Sequence, residues 1–297
     1  MRLAAPKEPC IWHATAASEV PWVRDLARRH GGRVVVTLHW LPRLNRPEAL
    51  WPEVRSRSEE RRQRDARRER ARLAACDAVV AVSDYMASLV RGVVPEERLQ
   101  VIRNGLDHPA VVPPLPPGPP SVLFLGRLSP GKGVDVLLDA WAAARPRLAD
   151  ATLVIAGEGD RRRVVAAAGD PSRGVRYLGP VEGDGKEAAF RGSSIVVMPA
   201  DEPEPWGLSG LEGMAHGRPL IGTATGGSAE FQVDGETGWI ARPGDVDSLA
   251  RALVEAVDAA RRPEAWRRLS EGALAVARRY TWERNVAELT SLYAELT

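Results

Sequence analysis

Val122-Leu-Phe-Leu125-Gly126-Arg127-Leu-Ser-Pro-Gly131-Lys132-Gly133 runs into a segment that carries Val134, Leu137, Leu138, Trp141 and Ala142 at helical spacing. It reads as a buried strand, a glycine-bounded loop and an amphipathic helix. The same grammar repeats downstream. Thr152–Ala156, Ile195–Met198 and Pro219–Gly222 are short apolar runs bounded by Gly or Pro, and Leu249, Leu253, Ala256 and Val257 share one face of a later helix. Continuous apolar runs alternating with helices imply a parallel sheet covered on both faces. The expected fold is therefore α/β and doubly wound, with ligand sites beyond the carboxyl ends of the strands.

Upstream, Cys10–Ala14, Arg33–Thr37, Ala78–Val82 and Leu99–Ile102 are strand candidates of a second, shorter unit of the same kind. Between the two lies Pro109-Ala-Val-Val-Pro113-Pro-Leu-Pro116-Pro-Gly-Pro119-Pro, with seven prolines in twelve positions, which suits neither helix interior nor central strand. It reads as a stiff linker. The expected division is 1–117, 118–280 and a C-terminal helix, 281–297, returning toward the first domain. A length of 297 residues agrees with two domains.

Forty-one basic and thirty-nine acidic residues leave a formal charge of +2, too balanced for a protein that works by neutralising nucleic-acid phosphates. Only Lys7, Lys132 and Lys186 among the basic residues are lysine. The arginine excess reads as a coding bias, so arginine clusters weigh little. Arg55 to Arg72 holds nine arginines mixed with Glu59, Glu60, Asp65 and Glu69 and no aromatic residue, the pattern of a solvated mixed-charge helix. Cys10 and Cys76 have neither metal-ligand spacing nor the number for a disulfide framework. Met1 to Pro9 lacks the apolar stretch of a signal peptide, and no run spans a membrane, so a cytoplasmic protein is expected, peripheral membrane contact aside.

Two segments carry chemistry. In Gly126–Gly133, a loop between strand and helix can aim backbone N–H groups at an anion, with Arg127 and Lys132 beside it. A phosphate about 4 Å from a cation is worth roughly 4 kcal/mol at an effective dielectric near 20. The segment is no Walker A loop, because Gly133 stands where a hydroxyl is needed. The second segment, Asp201-Glu202-Pro-Glu204-Pro-Trp206-Gly207-Leu208 through Leu211-Glu212-Gly-Met214-Ala-His216-Gly217-Arg-Pro219, follows a strand and predicts a helix from near Gly207 to Gly217. Glu204 then precedes the helix and Glu212 lies one to two turns inside it. Both can accept hydrogen bonds from sugar hydroxyls, and the free amides of Gly207 and Leu208 suit a phosphate oxygen.

Taken together, Gly126-Arg127 with Lys132-Gly133, Glu204 and Glu212 around Gly207-Leu208, Gly226-Gly227 with Glu230, Gly235 with Gly238, and Thr281-Trp282 resemble the retaining glycosyltransferases of family 4, which have the GT-B fold of two Rossmann-like domains. Trp12-His13-Ala14, Thr37 with His39, Asp77–Ser83 and Asn104-Gly105 resemble the later part of that family's N-terminal domain. The resemblance implies that Arg127 and Lys132, next to Gly126, bind the donor diphosphate. Glu212 would hold the ribose, Glu204 the transferred sugar, and the Gly207 and Leu208 amides the phosphate. Backbone around Gly179 to Val181 would hold the base, and His39 would face the donor sugar. It implies transfer of a hexose from a nucleotide diphosphate sugar to a carbohydrate or other hydroxyl acceptor with retention, no cofactor and no metal. His13, His108 and His216 read as structural. Trp206 stands where the family often has Phe.

The family's opening strand, Gly-rich loop and helix have no counterpart before Cys10. The resemblance therefore leads us to expect an N-terminal domain that lacks interior strands and exposes apolar surface. A start codon set too far downstream, or a partner chain completing the domain, is favoured over a degenerate remnant as the explanation. The alternative functions are a partner-dependent, non-catalytic GT-B subunit that binds nucleotide sugar, and a GT-B sugar epimerase.

Overall fold

The computed structural model describes residues 10–40, 58–148, 150–160 and 162–297. It divides into two units, Met1–Gly105 with Trp282–Thr297, and Leu106–Thr281. The proline-rich stretch belongs to the second unit rather than lying between the two.

The first unit is built on β1 (Ile11–Ala14), α1 (Val20–His30), β2 (Arg33–Leu38), α2 (Glu59–Ala74), β3 (Ala78–Ala81), α3 (Asp84–Val90) and β4 (Leu99–Val101). The Val-Val-Val run of β2 suits a strand buried on both faces. Ser58 and Ser83 cap α2 and α3 by accepting from the amides of Arg61 and Met86. The four strands are parallel in the order β1-β2-β3-β4. Among the described residues the four strands follow one another in the sheet without a gap. Among the described residues β1 is an edge, with Ile11, Trp12 and His13 half-buried. Val35, Ala78, Val80 and Ile102 form a buried cluster with Leu292 of the C-terminal helix (Trp282–Leu296), whose Leu289, Tyr293 and Leu296 pack against it.

Within α2, Ala66, Glu69 and Leu73 are buried, and Arg61, Arg64, Arg67, Arg68 and Arg70 are exposed, as a mixed-charge surface helix requires. The Met1–Pro9 reading, Lys7, Arg55 and Arg57 lie outside the described residues.

The second unit carries β5 (Ser121–Leu125), α4 (Val134–Leu148), β6 (Thr152–Ala156), α5 (Arg162–Ala168), β7 (Val175–Gly179), α6 (Gly183–Arg191), β8 (Ile195–Met198), α7 (Leu208–Ala215), β9 (Leu220–Gly222), β10 (Gly238–Ile240), α8 (Val246–Ala260) and α9 (Pro263–Ala277). All six strands are parallel, in the order β10-β9-β8-β5-β6-β7. The order reverses between β5 and β8. That reversal is the topological switch point, beyond whose strand ends open α/β sheets of this kind place their ligands.

Val122, Phe124, Leu137, Trp141, Leu153, Ile155, Ile195, Val197, Ile221, Leu253 and Val257 make one core. The face of α4 runs through Ala144 and Leu148, whereas Ala142 is exposed. Strands β7 and β10, which the apolar-run reading missed, are the two edges of the sheet. The proline-rich stretch is pinned by Arg218, fully buried, which donates to the carbonyls of Pro113 and Pro114 at 2.8 and 2.9 Å. No helix of the described residues is long and apolar enough to cross a membrane.

Candidate functional site

The two sequence-predicted loops leave β5 and β8 on either side of the switch point and press against each other. Gly133 has φ +70, and a Cβ there would collide with the Pro199 carbonyl. That collision is why a glycine stands where a phosphate-binding loop of the Walker type has its hydroxyl. Gly131 lies against the side chain of Glu202, and its carbonyl accepts from the Glu202 amide at 3.3 Å. On the far side, Leu128 is laced to the loop after β6: its amide donates to Glu158 at 2.7 Å and its carbonyl accepts from Asp160 at 2.8 Å. The loop that carries Gly126, Arg127 and Lys132 is thus held along its length, with Arg127 exposed.

Glu204 is placed by a second clamp. Its carbonyl accepts from Gly227 at 2.7 Å, and it forms an isolated parallel bridge with Gly226. Gly226 has φ +60, and a Cβ there would meet the Glu204 backbone, so only glycine lets the chains approach this closely. Thr223 and Thr225 tie the same two loops together, donating to the carbonyls of Ala200 at 2.6 Å and Glu202 at 3.2 Å. The Glu204 side chain is 10% exposed, and its Oε1 lies 2.5 Å from Lys132 Nζ. The structure therefore joins the cation of one loop to the carboxylate of the other. A nearly buried carboxylate is stable there only because the ammonium offsets its desolvation.

Gly207 caps the start of helix α7, and its carbonyl accepts from the amides of Gly210 and Leu211. The amides of Leu208 and Ser209 precede those bonds, at the positive end of the helix, where an oxyanion is favoured. Five residues on, Glu212 Oε1 lies 2.6 Å from Lys186 Nζ on α6. Lys186 is a neighbour of Glu212 that reading the motifs missed. Its signal was in the composition, because the two lysines of the described residues pair with the two expected ligand carboxylates. Val181 and Gly179 lie where β7 gives way to α6, and the Gly179 carbonyl accepts from the Gly157 amide at 2.8 Å.

Trp206, 2% exposed, packs edge-on against Phe231 and Tyr280, and its Nε1 is buried with no hydrogen-bond partner. His216 is held by Glu212 and Glu187 and stacks on Phe190. His108 meets the Tyr280 carbonyl at 3.2 Å. Among the described residues no group of three His, Cys, Asp or Glu side chains is placed to hold a metal ion.

His39 belongs to the first unit, just past the end of β2. It lines a cavity of about 190 Å³ with Leu38, Trp40, Glu69 and Arg72 and with Ala16–Ser18. Desolvation holds its imidazole below the usual histidine value. His13, one strand over, is bracketed by Thr37 Oγ1 at 2.7 Å and the Tyr293 hydroxyl at 2.5 Å. Burial, then the charge of His39, push its pKa down as well.

The family model "Glycosyl transferases group 1" matches residues 119–259, and "Glycosyltransferase Family 4" matches 2–109. Between them they take in both units. The chain belongs to the family 4 glycosyltransferases. Phosphatidyl-myo-inositol mannosyltransferase of Mycobacterium leprae is 35% identical over 176 residues, 58% of this chain and 46% of that protein. Sucrose-phosphate synthase of Thermosynechococcus elongatus superposes with a TM-score of 0.80 at 23% identity, covering 96% of this chain and 73% of that one. Anabaena Alr3699/HepE, solved with UDP-glucose, superposes with a TM-score of 0.76 at 20% identity, covering 96% of this chain and 79% of that one. These likenesses show the GT-B fold. The family 4 chain described here spans less than half the length of the curated relatives it matches, 46% and 38% of two of them.

Proposed function

We propose that this protein transfers a hexosyl group from a nucleotide diphosphate sugar to an acceptor hydroxyl, with retention at the anomeric carbon and without a metal. The observation that supports the reading is the Lys132–Glu204 pair at 2.5 Å, which joins the cation of one strand-to-helix loop to the carboxylate of the other, just ahead of the start of α7. The UDP-glucose complex of Alr3699/HepE and the mannosyl transfer in the name of the M. leprae relative support a nucleotide sugar as donor.

In this reading Arg127, Lys132 and the Leu208 amide hold the diphosphate. Each charge-assisted contact strengthens as negative charge builds on the departing group. Glu204 accepts hydroxyls of the transferred sugar, Glu212 takes the ribose, and the backbone at Val181 takes the base. The bond from the anomeric carbon to the diphosphate oxygen breaks, and the acceptor oxygen bonds to that carbon on the same face. The acceptor proton passes to the released phosphate oxygen.

The test is transfer from UDP-, GDP- and ADP-hexoses, with product anomers read by NMR and a parallel assay in chelator. Retained configuration and undiminished rate in chelator are expected. An inverted product, or release of a 2-epimer without acceptor, overturns the reading.

A further inference from the structure

Helices α6 and α7 are braced by two adjacent rungs. Lys186 Nζ meets Glu212 Oε1 at 2.6 Å, and its neighbour Glu187 meets His216 Nε2 at 2.9 Å. His216 closes the figure by turning Nδ1 to the Glu212 carbonyl at 2.7 Å, while Phe190 stacks on its ring at 4.7 Å. Glu212 is thereby fixed at backbone and side chain alike. The hydrogen bonding is one-sided, because Oε1 is occupied and, among the described residues, Oε2 has no partner.

The cation at this point is unusual for the chain. Three of its forty-one basic residues are lysine, so the default cation is arginine. An arginine fork takes both oxygens of a carboxylate in parallel, whereas an ammonium is a point donor that can hold one and leave the other exposed.

We propose that Lys186 is a positioning residue that makes Glu212 a single-oxygen acceptor for one ribose hydroxyl, so that the site selects ribonucleoside over deoxyribonucleoside diphosphates. The inference rests on the nucleotide-sugar reading above and assigns to Lys186 the selectivity of that same site.

The test is calorimetric binding to the full chain of UDP, GDP and ADP, then of the 2′-deoxy and 3′-deoxy forms of whichever base binds. A hydrogen bond to a charged group sets the scale, so the wild type is expected to prefer the ribonucleotide over one deoxy form by about tenfold to a hundredfold. Lys186→Met should weaken the ribonucleotide to near the deoxy value while changing that deoxy value by less than about threefold. Lys186→Arg should fail to restore the preference, because it engages both oxygens. A simple structural ion pair would instead be rescued. Glu187→Gln, which cuts the other rung, should keep the preference and so serves as a control for loosening of the helices. In Glu212→Ala, adding Lys186→Met should cost nothing more.

A preference that survives Lys186→Met, or is fully restored by arginine, overturns the proposal and leaves nucleotide binding standing. A wild type that binds none of these diphosphates overturns both.

Discussion

Trp206 shows how the site is supported from beneath. Its ring fills the space between Phe231 and Tyr280, but its indole N–H is buried without a partner, a cost of about 1–3 kcal/mol. Trp206→Phe removes that orphan donor at the expense of a small void. The melting temperature should therefore stay within a few degrees, while Trp206→Ala lowers it sharply through a large cavity. Cys76 gives a second prediction at this scale. Burial, then the neighbouring Asp77, push its thiol up to about 12. A thiol reagent should modify one cysteine of the native protein, the half-buried Cys10, and two after denaturation exposes Cys76. The sequence made Arg127, Lys132, Glu204 and Glu212 legible because each sits at a fixed offset from a strand end or a helix start. Lys186 was not legible that way, since its role depends on which neighbouring helix α6 packs against.

At the scale of elements, the first sheet is sewn to the C-terminal helix through His13, which joins Thr37 of β2 to Tyr293. The folded pKa values of His13 and His39 are lowered from 6.5. Below about pH 6.5 the unfolded chain binds protons that these buried rings resist, so the contribution is intact above that pH and is lost as the pH falls toward the folded values. The melting temperature should therefore fall between pH 7 and pH 5.5, with a shallower slope in His13→Gln. Parallel slopes in the two proteins would refute the linkage. The interior strands of both sheets were readable as continuous apolar runs because both of their faces are covered. Strands β7 and β10 were not, since an edge strand alternates buried and exposed positions and three residues are too few to show a period.

Across the whole molecule, two parallel sheets follow from a strand-loop-helix grammar written twice, and the reversal between β5 and β8 decides where the chemistry sits. The proline-rich stretch was legible as non-helical and non-strand, but not its attachment. A single buried arginine, Arg218, holds it to the second unit, with desolvation lowering its pKa to about 10. Arg218→Met strands the Pro113 and Pro114 carbonyls. It should destabilise the protein by about 2 kcal/mol or more in urea unfolding, less any relief from removing a buried cation. The central claim is that one crevice of the second unit grips a nucleotide diphosphate sugar through Arg127, Lys132, Glu204 and Glu212. Isothermal titration of the best-bound nucleotide sugar into wild type, Arg127→Ala and Glu212→Ala tests it most directly. The account predicts one saturable site, weakened about tenfold or more by each substitution; equal affinities in all three proteins would contradict it.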